Sequence, residues 1–168
     1  MQLDFTNLFH SSDEVIEIDT VIDLSDLEYS TYKPLKNGVK VQGKAFCKAD
    51  VAYLQLNVSF DFFGVCDRCA QDIHKQYAFD VDKIVVAKLE NEQDNDEYIV
   101  LENAVLDLNG FIAEEIQLFL PYKMLCSEDC KGICSKCGKN LNSGKCDCEK
   151  ETDPRWDALS QLLDIEEE

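Results

Sequence analysis

Period-two alternation of apolar and polar residues governs the first half of the chain. From Val15 to Leu24, Ile16, Ile18, Thr20, Ile22 and Leu24 share one face, while Glu17, Asp19 and Asp23 share the other. Such order predicts a half-buried strand. Residues 1–12 carry no strong pattern. Residues 25–38, with Pro34 and Asn37-Gly38, read as loop and turn. A hairpin follows. Val39, Val41, Gly43, Ala45 and Cys47 line one face of its first strand, with Lys40, Gln42, Lys44 and Lys48 on the other. After a turn at 48–50, the strand from Val51 to Val65 turns Ala52, Leu54, Leu56, Val58, Phe60 and Phe62 inward. Tyr53, Gln55, Asn57, Ser59 and Asp61 face out. Alternation this long predicts antiparallel sheet with one wet face.

Cys66-Asp-Arg-Cys69 ends that strand, and another begins near Lys75, with Tyr77, Phe79, Val81 and Val85 alternating against Asp80, Asp82 and Ile84. The first cysteine pair thus falls at a hairpin tip. Residues 90–97 are acidic, polar and expected to be mobile, and Tyr98 to Leu101 reads as a further short strand. Period then changes. Asp107 can cap a helix whose apolar positions are Leu108, Phe111, Ile112, Ile116, Phe119 and Leu120, with Pro121 ending it. This helix is expected to pack across the sheet, with Glu115, near its apolar face, read as snorkelling to the surface in preference to serving as a buried acceptor. Near the end of the chain, Asp153-Pro154-Arg155 opens a second amphipathic helix with Trp156, Leu159, Leu162 and Leu163 on its stripe. It is expected to dock on its own domain, and Glu166 to Glu168 form a solvated tail. The fold class is therefore α+β: an antiparallel sheet or partial barrel with a packed helix, a zinc-ribbon-like segment and a short terminal helix. The divisions fall at 1–121, 122–150 and 151–168.

Candidate chemistry lies in the cysteines. Six of the nine fall between Cys126 and Cys148, and Cys66 and Cys69 form a distant Cys-x-x-Cys. Eight thiols make two tetrahedral sets. Zinc held by four thiolates favours ligand pairs two to four residues apart, because a tight turn then aims both sulfurs at one ion. Cys134-Ser-Lys-Cys137-Gly is such a turn, with Gly138 able to take positive φ, and Cys146-Asp-Cys148 follows the turn signal Asn142-Ser143-Gly144. These four are assigned to one zinc ion. Cys66, Cys69, Cys126 and Cys130 are assigned to a second, although other partitions of the tail cysteines are open. Cys47 is the spare, expected at a buried strand position.

Competing readings are weaker. Disulfides need an oxidising compartment, and Met1-Gln-Leu-Asp-Phe lacks the basic start and apolar run of a signal peptide. Redox chemistry at Cys66-Asp-Arg-Cys69, with Arg68 lowering a thiol pKa, lacks the surrounding βαβ pattern. Four-thiolate closure leaves no open position for Lewis-acid work. No nucleophile–base pair, phosphate loop or acidic metal cluster is visible, so no enzyme and no small-molecule substrate are expected.

At 168 residues and 45% hydrophobic, the chain is long enough for a substantial core. No run is long enough to span a bilayer, which leads to the expectation of a soluble, cytoplasmic protein without membrane partners. The formal charge is −18; eight thiolates and two divalent ions would shift it to −22. Such a field repels phosphate backbones and attracts basic partners. The lysine face of the strand from Val39 is the one place where a basic strip could form, and a solvated face is the simpler reading of it.

Three ordered blocks carry a family resemblance: Val65-Cys66-Asp67-Arg68-Cys69 at a strand end; Leu106-Asp-Leu-Asn-Gly-Phe-Ile-Ala-Glu-Glu115-Ile-Gln-Leu-Phe-Leu-Pro121; and Cys126 to Cys148 followed by Asp153-Pro154-Arg155-Trp156. In that order and spacing they resemble the bacterial YceD family, the large ribosomal RNA subunit accumulation proteins. They cover most of residues 39–163, whereas the first 38 match only loosely. The resemblance implies a cytoplasmic, non-enzymatic factor for large-subunit (23S) ribosomal RNA accumulation. Its gene would commonly lie beside that of a small basic large-subunit ribosomal protein. Some relatives lack the complete second cysteine set, which implies that the Cys134 site is dispensable to the shared function.

Two mechanisms fit. In the first, an acidic factor binds a basic large-subunit ribosomal protein or a pre-ribosomal particle. In the second, the protein touches ribosomal RNA through Arg68, Lys131, Lys136, Lys139 and Lys145. Residues 121–150 hold six basic and four acidic side chains, thin for strong phosphate binding. A zinc-containing adaptor unrelated to ribosomes is the remaining alternative.

Overall fold

The computed structural model describes residues 1–10, 14–48, 51–86, 98–101 and 103–148. The expected turn at 48–50, the acidic stretch 90–97 and the terminal helix after Asp153 fall wholly or largely outside these residues.

Alternation becomes sheet where it was strongest. β1 (Gln2–Asp4) and α1 (Thr6–His10) precede β2 (Val15–Ile22), β3 (Val39–Lys48), β4 (Val51–Val65) and β5 (Asp72–Val86). β6 (Tyr98–Val100), β7 (Val105–Asp107) and α2 (Leu108–Phe119) follow. Five strands form one sheet in the order β2-β3-β4-β5-β6, and β1 pairs with β7 separately. All ladders are antiparallel except β5–β6, which is parallel. The sheet is thus mixed rather than purely antiparallel, and no ladder among the described residues joins β2 to β6 into a barrel. No described helix is long and apolar enough to cross a membrane.

The inward row of β4 is buried from Ala52 through Phe62, and Val39, Val41 and Ala45 of β3 lie beside it. Gly43 is required in that row: a Cβ there would sit 2.0 Å from the Gln55 carbonyl oxygen and 2.8 Å from the Leu56 Cα. α2 closes the core. Asp107 caps it, its carboxylate accepting from the Gly110 amide, and Leu108, Ile112 and Ile116 are fully buried. At roughly 1.5–3 kcal/mol for each large aliphatic side chain removed from water, those three dominate the helix's hold on the sheet. Phe111 is only half-buried. Phe119, 40% exposed, stacks on Phe79 at 4.4 Å between ring centroids.

Three expectations are corrected. Residues 1–12, read as patternless, contribute β1 and α1, with Phe5 and Leu8 fully buried; a three-residue strand and a five-residue helix are too short to show a period. β5 begins at Asp72 rather than near Lys75, because Val65 pairs with Asp72 and extends the hairpin to the cysteine turn. Glu115 does not snorkel. Its carboxylate lies 2.9 Å from Lys83 Nζ, and both side chains are 17% exposed. Lys83 pairs with Leu54 in register and so shares the core face, which is why a helix carboxylate meets it there.

Candidate functional site

The β4–β5 hairpin ends in the turn Cys66–Gln71, closed by Cys66 N donating to Gln71 O and Ala70 N donating to Cys66 O, each at 2.8 Å. Ala70 takes a φ of 55°, at the point where the chain leaves the cysteine pair for β5. The segment after α2 is then stitched onto this turn. Asp67 N donates to Met124 O at 2.9 Å, and Met124 N returns a hydrogen bond to the Asp67 carboxylate at 2.6 Å. Met124 is 1% exposed, so the stitch is anchored in the core. Lys75, on the inner face of β5, donates to Leu125 O at 2.8 Å, and Arg68 Nη1 donates to Cys130 O at 3.1 Å.

These contacts bring together Cys66, Cys69, Cys126 and Cys130, the hairpin cluster, with all four sulfurs within 4.8 Å of one another. Cys66 Sγ lies 3.7 Å from Cys130 Sγ, and Cys69 Sγ lies 3.6 Å from Cys126 Sγ. Four sulfurs at about 2.3 Å from a tetrahedral zinc ion stand roughly 3.8 Å apart, so the donor set has the right chemistry and size. Bonded sulfurs would be about 2.05 Å apart, and all nine cysteines are free.

Cys134, Cys137, Cys146 and Cys148 form the ribbon cluster, again within 4.8 Å. Its turn is closed by Gly138 N donating to Cys134 O and Cys134 N donating to Lys139 O, each at 2.9 Å, and Gly138 has a φ of 70°. The two clusters differ in setting. Cys66, Cys69 and Cys130 are buried, whereas Cys137 is exposed. Cys47 belongs to neither; it is half-buried on β3 opposite Ala52.

Within each cluster some thiols are held low and others high. Burial pushes the Cys66 thiol up, but amides of Cys126, Arg68 and Cys69 outweigh it and bring it down to about 6. Cys130 is held low, first by the Asn142 side-chain amide. Burial drives Cys69 up to about 12, and the Cys130 thiol, with burial, raises Cys126. In the ribbon, amides of Cys137 and Lys136 lower Cys134 to about 6, while its neighbour Cys137 lifts Cys148 to about 12. Amide donors thus favour thiolate on Cys66, Cys130 and Cys134, while burial and neighbouring thiols favour the proton on Cys69, Cys126 and Cys148. A divalent ion would relieve that conflict by replacing the protons.

Of the candidate contact residues, Lys131, Lys136, Lys139 and Lys145 are exposed on the ribbon. Arg68 is engaged with the Cys130 carbonyl and Lys139 with Lys145 O at 2.8 Å. On the wet face, Glu17 of β2 stands opposite Lys44 of β3 and Asp19 opposite Gln42, while Asp80 and Asp82 of β5 face Asn57 and Gln55 of β4, so one lysine of the β3 strip lies among four carboxylates. These groups line one open depression of about 560 Å³ on the wet face of the sheet. Sequence reasoning missed Asp67, Met124 and Asn142 as supports of the clusters. Their signal was only proximity to cysteines, with Asn142 read as a turn residue.

Comparison with known proteins places these features. The chain is 26% identical over 103 residues to an uncharacterized protein of Mycobacterium tuberculosis, covering 60% of this chain and 50% of that one. It is 25% identical over 103 residues to an uncharacterized protein of Mycobacterium leprae, covering 58% and 46%. It is also 41% identical over 46 residues to the chloroplastic large ribosomal RNA subunit accumulation protein YCED homolog 1 of Arabidopsis thaliana, covering 27% and 14%. The chain spans about half the length of the mycobacterial relatives. No solved structure matches it. The family model for the large ribosomal RNA subunit accumulation protein YceD matches residues 54–163, a span that takes in α2 and both cysteine clusters, and the chain belongs to that family.

Proposed function

We propose that this protein supports accumulation of large-subunit ribosomal RNA by binding a basic ribosomal protein, or an assembly intermediate that contains one. It acts in the cytoplasm as a binding factor without catalysis, and each cysteine cluster holds a structural zinc ion. The RNA accumulates because the particle that carries it escapes degradation. The family description and the YCED homolog's name support the ribosomal part of this reading. The zinc reading rests on two four-sulfur sets, each gathered within 4.8 Å, with separations of 3.6 and 3.7 Å in the hairpin cluster. When bound, the ions supply cross-linking and charge neutralisation, with no open position for a reactant. Cys66, Cys69, Cys126 and Cys130 would fasten the tail segment to the β4–β5 hairpin, and the ribbon cysteines would shape the exposed loop.

The observation that carries the choice of partner is the set of four carboxylates, Glu17, Asp19, Asp80 and Asp82, that share the wet-face depression with the single lysine Lys44, in a chain of formal charge −18. A wet face with four carboxylates around one lysine favours a lysine- and arginine-rich protein over bare RNA. Direct contact of ribosomal RNA with Arg68, Lys131, Lys136, Lys139 and Lys145 is the alternative outcome of the test. Purified protein is titrated with basic large-subunit ribosomal proteins and, separately, with large-subunit ribosomal RNA fragments, across a salt series. Submicromolar, salt-sensitive binding to a basic protein is expected. Submicromolar RNA binding with no protein partner would overturn the proposal.

A further inference from the structure

The loop that the ribbon cluster closes reaches back to the hairpin cluster. Asn142 lies between Cys137 and Cys146. Its Oδ1 accepts from the Lys131 amide at 2.8 Å, and its Nδ2 donates to Cys130 Sγ at 3.2 Å. A backbone N–H can only donate, so the side-chain oxygen must face Lys131 and the NH₂ is left for the sulfur. Three contacts seat the loop in this pose. Leu141 N donates to Gly132 O at 2.9 Å, Asn142 N to Asn140 Oδ1 at 2.9 Å, and Ser143 Oγ to Asn140 O at 2.8 Å. Gly132 has a φ of 74° and is pressed against the hairpin, where a Cβ would sit 3.1 Å from Arg68 O.

We propose that Asn142 couples the two clusters, so that a metal ion in the ribbon cluster raises the affinity of the hairpin cluster. By linkage, an ion in the hairpin cluster raises the affinity of the ribbon equally. The proposal rests on the reading that both clusters hold zinc. Its physics is that of an outer hydrogen bond to a metal ligand: a donor to Cys130 sulfur stabilises its charge and fixes its direction. That donor is exposed and sits on a loop whose two ends are ribbon ligands. With the ribbon ion bound, the loop is already ordered and the amide is in place. Without it, the hairpin cluster must bear the cost of ordering the loop or go without the donor. Asn142 is a positioning residue in this scheme and touches no ion itself.

Cadmium NMR of the full chain tests this, since each four-sulfur site gives its own resonance and competition with a chelator then reads the two occupancies separately. Asn142→Ala and Cys137→Ser are each expected to lower hairpin-cluster affinity about tenfold, the lower end of what loss of an outer hydrogen bond to a ligand costs. The double variant should fall no further than Cys137→Ser alone. Asn142→Asp keeps an acceptor for Lys131 but sets a carboxylate against the sulfur, so it should lose more than Asn142→Ala. Unchanged hairpin affinity in Cys137→Ser would overturn the coupling. So would an Asn142→Ala effect of equal size with and without the ribbon ion, or an Asn142→Asp protein that binds like the parent. Failure of the parent to bind cadmium in either cluster would sink the zinc reading and the coupling together, whereas two full but independent sites would sink the coupling alone.

Discussion

Serine in place of one ligand should have very different consequences in the two clusters. Cys66 is 2% exposed and its cluster joins a hairpin to a segment far along the chain, with Cys69 and Cys126 separated by 57 positions. Treated as a cross-link, closing a loop of that length removes about 4 kcal/mol of chain entropy from the unfolded state. The ribbon cluster closes the short loop from Cys134 to Cys146, worth about 3 kcal/mol on the same scale, and that sum is confined to a segment whose Cys137 is exposed and which lies outside the sheet. Cys66→Ser should therefore lower the main unfolding midpoint in excess zinc by on the order of 10 °C, at about 2–4 °C per kcal/mol for a chain of this size. Cys134→Ser should leave that midpoint within about 5 °C, the allowance being the tenfold weakening of the hairpin cluster through Asn142. It should also open the ribbon to proteolysis. Differential scanning calorimetry with limited proteolysis reads both quantities. Equal loss of midpoint in the two variants would refute the argument, because it would mean that the ribbon is part of the same cooperative unit as the sheet.

Three further outcomes are expected. Metal analysis of protein purified without chelator should find two equivalents of zinc per chain, and less than one would contradict the two-site model. Lys83→Met alone should cost about 1–3 kcal/mol in denaturant unfolding, since it takes from the half-buried Glu115 carboxylate its ion-pair partner at 2.9 Å, whereas adding Glu115→Gln should recover most of that loss; additive losses would show that the pair is not an interacting unit. Gly43→Val should abolish folded expression or lower stability by more than about 3 kcal/mol, because a Cβ at 2.0 Å from the Gln55 carbonyl oxygen cannot be accommodated without separating β3 from β4; a mild effect by circular dichroism would contradict the register.

The parts of the fold that could be read from the chain are those where a period runs long enough to exclude coincidence. Six successive inward positions of β4, from Ala52 to Phe62, are all buried as the alternation requires. The capped helix from Asp107 to Pro121 ends where its proline dictates. The local cysteine pairs were legible for a different reason: ligand separation by two to four residues is a local geometric demand, and 66/69, 126/130 and 134/137 each satisfy it, whereas which pairs share a cluster was left open for the tail. What stayed hidden depends on pairings between distant segments. Leu3 opposite Leu106 leaves no trace in either three-residue strand. The parallel run of β6 beside β5 is a matter of chain path, which hydrophobic order does not encode. Lys83 falls between Val81 and Val85 in the inward row of β5, and its register with Leu54 reveals that Glu115 has a partner inside. Asn142 carries the same lesson at the site: its turn chemistry was visible, and the sulfur that its amide faces was not.

β2 is the outer strand of the sheet, with β3 as its one neighbour among the described residues. Val15 and Val21 are 54% and 66% exposed there, a combination that would invite another molecule's strand to add on. Glu17 and Asp19 stand between those valines, so a second copy approaching edge to edge would set carboxylate against carboxylate. Neutralising both residues would leave a run of β-branched side chains on an open border, the composition from which fibrous aggregates grow. The acidity of this strand thus also works as a guard on self-association during folding and at high concentration.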